Sequence, residues 1–284
     1  MAIVLVIVFN ATDRVPLNLA RGDTVGSFVV ESVTPVPALA LDAIELRHPS
    51  GASYVHLDTA DTHNTFAIGL RTPPESDNGV FHILEHMVLC SSAKYAARDV
   101  FFNLSQRTLA TFLNAMTAAD STIYPFSTVH AQDFANILDV YCDAVFFPNL
   151  TKHDFDREGW RLELDEASPG GVRYHGIVFN EMKGVVTDPA AWFYYQLKAL
   201  RAGAPLDRAS LTVPRGGAAS PYAYNSGGDP LAIPSLTHDE LRAAHAKYYS
   251  PANALFFSYG DLPLAHHIEY LEDNVLSRVP PSPA

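Results

Sequence analysis

Cysteine is nearly missing: Cys90 and Cys142 are the only two in 284 residues. Two thiols cannot build a disulfide framework in a chain of this length, so a reducing compartment fits and the fold must rest on its core. Both read as buried thiols used as small apolar residues. Positive charge is also scarce, since 19 Lys and Arg stand against 31 Asp and Glu for a formal net charge of −12. That balance speaks against nucleic-acid binding and favours a cationic partner or substrate. Long apolar runs are lacking at the start, where MAIVLVIVF has nine apolar residues against the roughly 20 of a membrane span. It reads as a β-strand or a cropped leader, without the Arg-rich, Ser-rich character of a transit peptide. No internal repeat or dominant low-complexity block is present.

Apolar residues are plentiful, at 48% of the chain, enough for a substantial core. Residues 27–33, 52–59 and 65–72 alternate or run apolar with β-branched and aromatic side chains and predict strands. The turn residues ADTHN between the last two predict a β-hairpin. From residue 78 the period becomes helical, with further helices expected at 98–108, 131–146 and 152–164 and a strand near 121–128. Residues 203–230, crowded with Gly, Pro, Ala and Ser, predict a long surface loop. Beyond it, LTHDELRAAHAKYY opens with a Thr cap and a Glu three residues on, a capping box. The strand NALFFSYG and a last helix over LAHHIEYLEDNVLSRV follow, and PPSPA cannot continue that helix. Strands, then helices, then more strands predict an α+β fold, with a mixed, mostly antiparallel sheet packed against helices. The expected division is an N-terminal extension at 1–16, a domain at 17–275 and a tail at 276–284.

The stretch FHILEHMVLC carries the chemistry. On a helix, residues i and i+4 share a face, so His82 and His86 can aim two imidazoles at one ion with Glu85 beside them. The order H-x-x-E-H inverts the H-E-x-x-H zinc motif. A catalytic zinc takes three protein ligands and leaves the fourth position to water. Read alone, the motif is equally a metal site or a helix that carries two histidines by chance. A third ligand is offered by Glu181 in GIVFNEMKG, which follows an apolar run where an unpaired carboxylate would be costly. The plain alternative is a solvated helix residue paired with Lys183. Glu158, in EGWRLEL, is either a partner of the site or a member of a structural ion pair. The remaining histidines, His130, His153, His175, His238, His245, His266 and His267, read as surface or satisfied core residues. Ser226 to Pro230 reads as a turn without a catalytic role, and TFLNAMT as a core strand or helix end.

Ordered blocks then bring in a family. GVFHILEHMVLCSS at 79–92, TFLNAMTAADSTIYPFST at 111–128, DVYCDAVFFPNL at 139–150, EGWRLEL, GIVFNEMKG, SGGDPLAIPSLT at 226–237 and YYSPANALFFSYGDLPL at 248–264 resemble the pitrilysin/insulinase family of zinc peptidases, in its presequence protease branch. The resemblance implies that His82, His86 and Glu181 bind one Zn2+ and that Glu85 is the catalytic base. It implies that Asn114, Ala115 and Met116 form an edge strand that pairs with an extended peptide substrate. It also implies a mitochondrial matrix location, with another organelle or the cytoplasm as alternatives. The matching blocks correspond to the first of four related domains, so a C-terminal half or a second copy is the expected partner that closes the chamber. The connection between NEMKG and SGGDP is longer than the family pattern, with an insertion at 203–221. Two functions follow: a zinc metalloendopeptidase that degrades short unstructured peptides, or a zinc-bound domain that binds peptide or partner but is inactive without the missing half. A structural subunit is disfavoured, because all four residues of the zinc-site pattern are kept.

Overall fold

The structure, a computed structural model, describes residues 17–203 and 220–279. The expectations for the opening apolar stretch, for most of the 203–221 insertion and for PPSPA fall outside those residues. In chain order the elements are β1 (Thr24–Val25), β2 (Phe28–Val36), β3 (Leu41–Arg47), β4 (Ser53–Asp58), β5 (Asn64–Arg71), α1 (Val80–Val88), α2 (Val100–Ser105), β6 (Phe112–Leu113), β7 (Met116–Thr117), β8 (Ser121–Thr128), α3 (Ala131–Phe146), α4 (Lys152–Glu158), β9 (Arg161–Leu164), β10 (Val172–His175), α5 (Ile177–Thr187), α6 (Pro189–Arg201), α7 (His238–Tyr248), β11 (Ala254–Gly260) and α8 (Leu264–Leu271).

Nine strands form one sheet in the order β1, β2, β3, β4, β11, β5, β8, β6, with β7 also on β8, and β9 with β10 forms a separate hairpin. Every strand pair is antiparallel except β4 with β11. This is the expected α+β architecture. Alternation places side chains: in β4, Tyr54, His56 and Asp58 are buried while Ser53, Val55 and Leu57 are half-buried. The sheet's buried residues, Phe28, Ile44, Tyr54, Phe66, Ile68, Tyr124, Phe126 and Phe256, join those of α1, α3 and α8 in one core. At about 25 cal/mol per Å2, each fully buried side chain of this size contributes about 1.5–3 kcal/mol, so this core is what holds the helices to the sheet. Cys90 and Cys142 are free, buried thiols, as expected, and Cys142 lies in this core.

Three local expectations are corrected. β4 and β5 are not a hairpin: β11 lies between them, pairing parallel with β4 and antiparallel with β5. The ADTHN segment is a wider link, in which the Asn64 amide donates to Asp261 after β11 and its carbonyl accepts from Leu262 N. The helix expected over 152–164 ends at Glu158, and Arg161–Leu164 is a strand. After Gly159 the chain turns away so that Trp160 Nε1 can donate to Leu236 O at 2.9 Å. TFLNAMT is not a core element but the irregular edge of the sheet, formed by β6 and β7 on β8, with Phe112, Asn114 and Met116 exposed. α6 and β3 were not expected from the sequence. The capping box of α7 is present, with Thr237 and Glu240 exchanging both bonds.

Among the described residues no helix is long and apolar enough to cross a membrane.

Candidate metal centre

α1 is helical because Phe81, Ile83, Leu84, Met87 and Val88 bury one broad face, leaving His82 and His86 on a stripe that is only half-buried. Its first free amide, Val80 N, is satisfied by Asn78 Oδ1 at 3.1 Å. The i, i+4 spacing brings the two imidazole centroids to 5.1 Å. α5 approaches from the other side. Its first residue follows Gly176, where a Cβ would lie 2.1 Å from Gly159 O, so α5 can start against the end of α4 only without a side chain there. That contact delivers Glu181, whose Oε2 lies 3.7 Å from His82 Nε2 and 3.9 Å from His86 Nε2.

The three donor atoms are within 4.8 Å of one another. Tetrahedral zinc with bonds of about 2.1 Å needs donors roughly 3.4 Å apart, so small closing movements suffice. The orientation of the rings decides the fit. His82 Nδ1 meets Gly227 O at 2.9 Å, and His86 Nδ1 meets Glu158 Oε2 at 3.2 Å. Both partners are acceptors, so each Nδ1 carries the proton and each Nε2 presents its lone pair toward Glu181. Metal-binding histidines are held this way. Glu181, which follows a buried run, is itself half-exposed at 49% of its side chain. Its carboxylate faces the two imidazoles and not Lys183, which lines a different cleft beside Arg173 and Asp165.

Glu158 is buried and is itself held: Arg157 Nε donates to its Oε1 at 2.8 Å, and Arg157 also pairs with Asp99 at 2.6 Å. Burial opposes protonation of His86, but the hydrogen bond to Glu158 and the charges of Glu85 and Glu181 outweigh it and raise its pKa above the ordinary value. Beside it, burial first and the charge of Glu158 second push the Cys90 thiol up to about 12, so it is inert. Glu85 lies buried on α1 next to His86, and Thr117 Oγ1 of β7 donates to its Oε2 at 2.5 Å. Sequence reasoning did not anticipate Thr117, Arg157 or the Gly227 carbonyl.

Asn114 and Ala115 lie between β6 and β7, at the sheet edge nearest Glu85. Asn114 N donates to Pro125 O at 3.2 Å, Tyr141 OH donates to Asn114 O at 3.1 Å, and Met116 is 43% exposed. A cavity of about 200 Å3 opens beside Glu85 and His86, walled by Leu89, Phe101, Phe102 and Ala115.

The family profile described as Insulinase (Peptidase family M16) matches residues 59–169, which contain α1 and its motif. A second, described as Peptidase M16 inactive domain, matches residues 235–284. The mitochondrial presequence protease of Xenopus tropicalis is 46% identical over 265 residues, 92% of this chain and 24% of that protein. The chain belongs to the pitrilysin/insulinase family, in its presequence protease branch. The mouse mitochondrial presequence protease is 45% identical over 267 residues, again 92% of the chain and 24% of the relative. That of Schizosaccharomyces pombe is 44% identical over 259 residues. The chain thus spans about a quarter of the length of these relatives. Among solved structures, pitrilysin superposes with a TM-score of 0.63 at 19% identity over 89% of this chain and 25% of its own. The periplasmic protease PqqL of Escherichia coli does so with 0.61 at 18% identity, over 85% of this chain and 24% of its own. Both likenesses are of fold.

Proposed function

We propose that this chain is the zinc-binding domain of a metalloendopeptidase that degrades short, unstructured peptides such as cleaved presequences in the mitochondrial matrix. The observation that carries the proposal is the convergence of His82, His86 and Glu181 on one point, with both rings held in the tautomer a metal needs. Those three residues would hold Zn2+. When bound, zinc polarises a carbonyl and lowers the pKa of a bound water toward about 7. Glu85 is the general base: oriented by Thr117, it accepts the proton of the attacking water and passes it to the leaving amine. No side chain is needed as a covalent nucleophile. The edge at Asn114, Ala115 and Met116 pairs with the substrate backbone, which gives affinity with little dependence on sequence. The apolar cavity by Leu89, Phe101 and Phe102 receives a substrate side chain. The excess of 12 negative charges favours basic peptides.

A second reading is favoured by the chain's coverage of only 24% of its relatives: a zinc-bound peptide- or partner-binding domain that turns over only when a C-terminal half or a second copy closes on it. Zinc content and cleavage of a basic, presequence-like peptide separate the two. Zinc-dependent cleavage by the 284-residue chain alone supports the enzyme and removes the second reading. Cleavage that requires a separately expressed C-terminal region of a relative supports the second. Absence of bound zinc refutes both.

A further inference from the structure

The turn that follows the 204–219 segment carries a role that its sequence, NSGGDP, does not announce. His82 Nδ1 bonds Gly227 O at 2.9 Å, so one backbone carbonyl fixes both the tautomer and the rotation of this ring. The direction of that carbonyl is set by Asn225. Its Oδ1 accepts from Gly227 N at 3.1 Å, its own carbonyl accepts from Gly228 N at 2.9 Å, and its Nδ2 donates to Gly228 O at 3.1 Å. Three successive peptide units, including the one that bears Gly227 O, are thereby tied to a single side chain and its backbone. Asn225 is 8% exposed, so water does not substitute easily for these bonds.

The turn is joined to the start of α1 as well. Asn225 N donates to Asp77 Oδ1 at 2.6 Å, and Asp229 N donates to Asp77 O at 2.7 Å. A Cβ on Gly79 would lie 2.9 Å from Gly228 Cα, so backbone packs on backbone there. On its other side, a Cβ on Gly227 would lie 3.0 Å from Met182 Cε, in the residue after Glu181. The turn therefore touches both helices that supply the metal-ligand candidates.

We propose that Asn225 is a positioning residue for His82, acting through the Gly227 carbonyl, and that the Asn225 to Gly228 turn fixes this ring against α1 and α5. The inference rests on the zinc-site reading above, yet its first test is independent of metal. In the metal-free 284-residue chain at alkaline pH, 15N NMR of the imidazoles should show His82 protonated at Nδ1 and bare at Nε2. In Asn225→Ala the ring should become a mixture of tautomers, and zinc affinity, measured against a competing chelator, should fall about 10–100-fold. Asn225→Asp keeps the acceptor for Gly227 N but turns a buried carboxylate oxygen, in place of the donor, toward Gly228 O, so it too should lose zinc affinity, and it decides the matter if the alanine variant does not fold. A wild-type His82 with mixed tautomers overturns the proposal, as do both variants binding zinc within about twofold of wild type. If wild type takes up no zinc while His82 is held at Nδ1, the zinc reading fails and the positioning stands.

Discussion

Replacing Gly176 with alanine should displace Glu181 without touching it. The new Cβ would lie 2.1 Å from Gly159 O, 2.7 Å from Gly159 C and 2.9 Å from Trp160 Cα. All three are backbone atoms, so no side chain can swing aside. Reaching an ordinary separation of about 3.5 Å requires α5 to move away from α4 by more than about 1 Å. Overpacking of this kind costs about 1–3 kcal/mol, and a metal site tolerates errors of only about 0.2 Å in its ligand distances. Glu181 already stands 3.7 and 3.9 Å from the two imidazole nitrogens, and the same shift would take it out of reach. Gly184 on the same helix provides the control, because a Cβ there meets nothing within 4 Å and alanine should stabilise the helix by up to about 1 kcal/mol. Denaturant melts and zinc titrations of both variants give the assay. Gly176→Ala should lose stability and at least about tenfold in zinc affinity, while Gly184→Ala gains stability and keeps its zinc. Wild-type zinc affinity in Gly176→Ala would refute the idea that the contact between α4 and α5 positions Glu181.

Three further outcomes follow from the same geometry. Glu158→Gln keeps the shape of the partner of His86 but removes its charge, and zinc affinity should fall about 10–100-fold, read by chelator competition. His267 is buried against Phe134 with its centroid 5.1 Å away, and Tyr54 OH lies 3.2 Å from its Nδ1. Burial, then His56 and His266, lower its pKa from 6.5 to about 3. The unfolded chain binds the extra proton between those values, so the stability contribution is complete above about 6.5 and is lost as pH falls toward 3, at up to about 1.4 kcal/mol per unit. Unfolding free energies of wild type and His267→Phe, measured across that window, should differ in pH dependence by up to that slope, with the wild type losing more stability as pH falls. Thr237→Ala, which removes the capping box of α7, should cost about 1 kcal/mol in a denaturant melt.

The readable part of the site was its local part. His82, Glu85 and His86 lie on one helix, and the i, i+4 spacing alone pairs the imidazoles. Glu181 reaches them through the meeting of Gly159 and Gly176, a contact between two glycines that periodicity cannot register. Its place after an apolar run made Glu181 a candidate, and only the ordered family blocks chose between a ligand and a solvated helix residue. The strands at 52–59 and 65–72 were legible from alternation, but their partner β11 lies almost 200 residues further along the chain, so a hairpin was the nearest local answer and the wrong one. Residues 152–164 failed similarly, because the helical pattern continues in composition past Gly159 while the backbone turns to seat Trp160. The Gly227 carbonyl left no side-chain signature, although paired glycines are a signal of close backbone approach.

Glu85→Gln removes the proton acceptor and keeps both imidazoles and Glu181. The variant should retain about one zinc per chain and lose cleavage of a presequence-like peptide by roughly 10²-fold or more, under conditions in which the wild type, alone or with its closing half, cleaves it. Cleavage at the wild-type rate with zinc still bound would contradict the general-base role of Glu85.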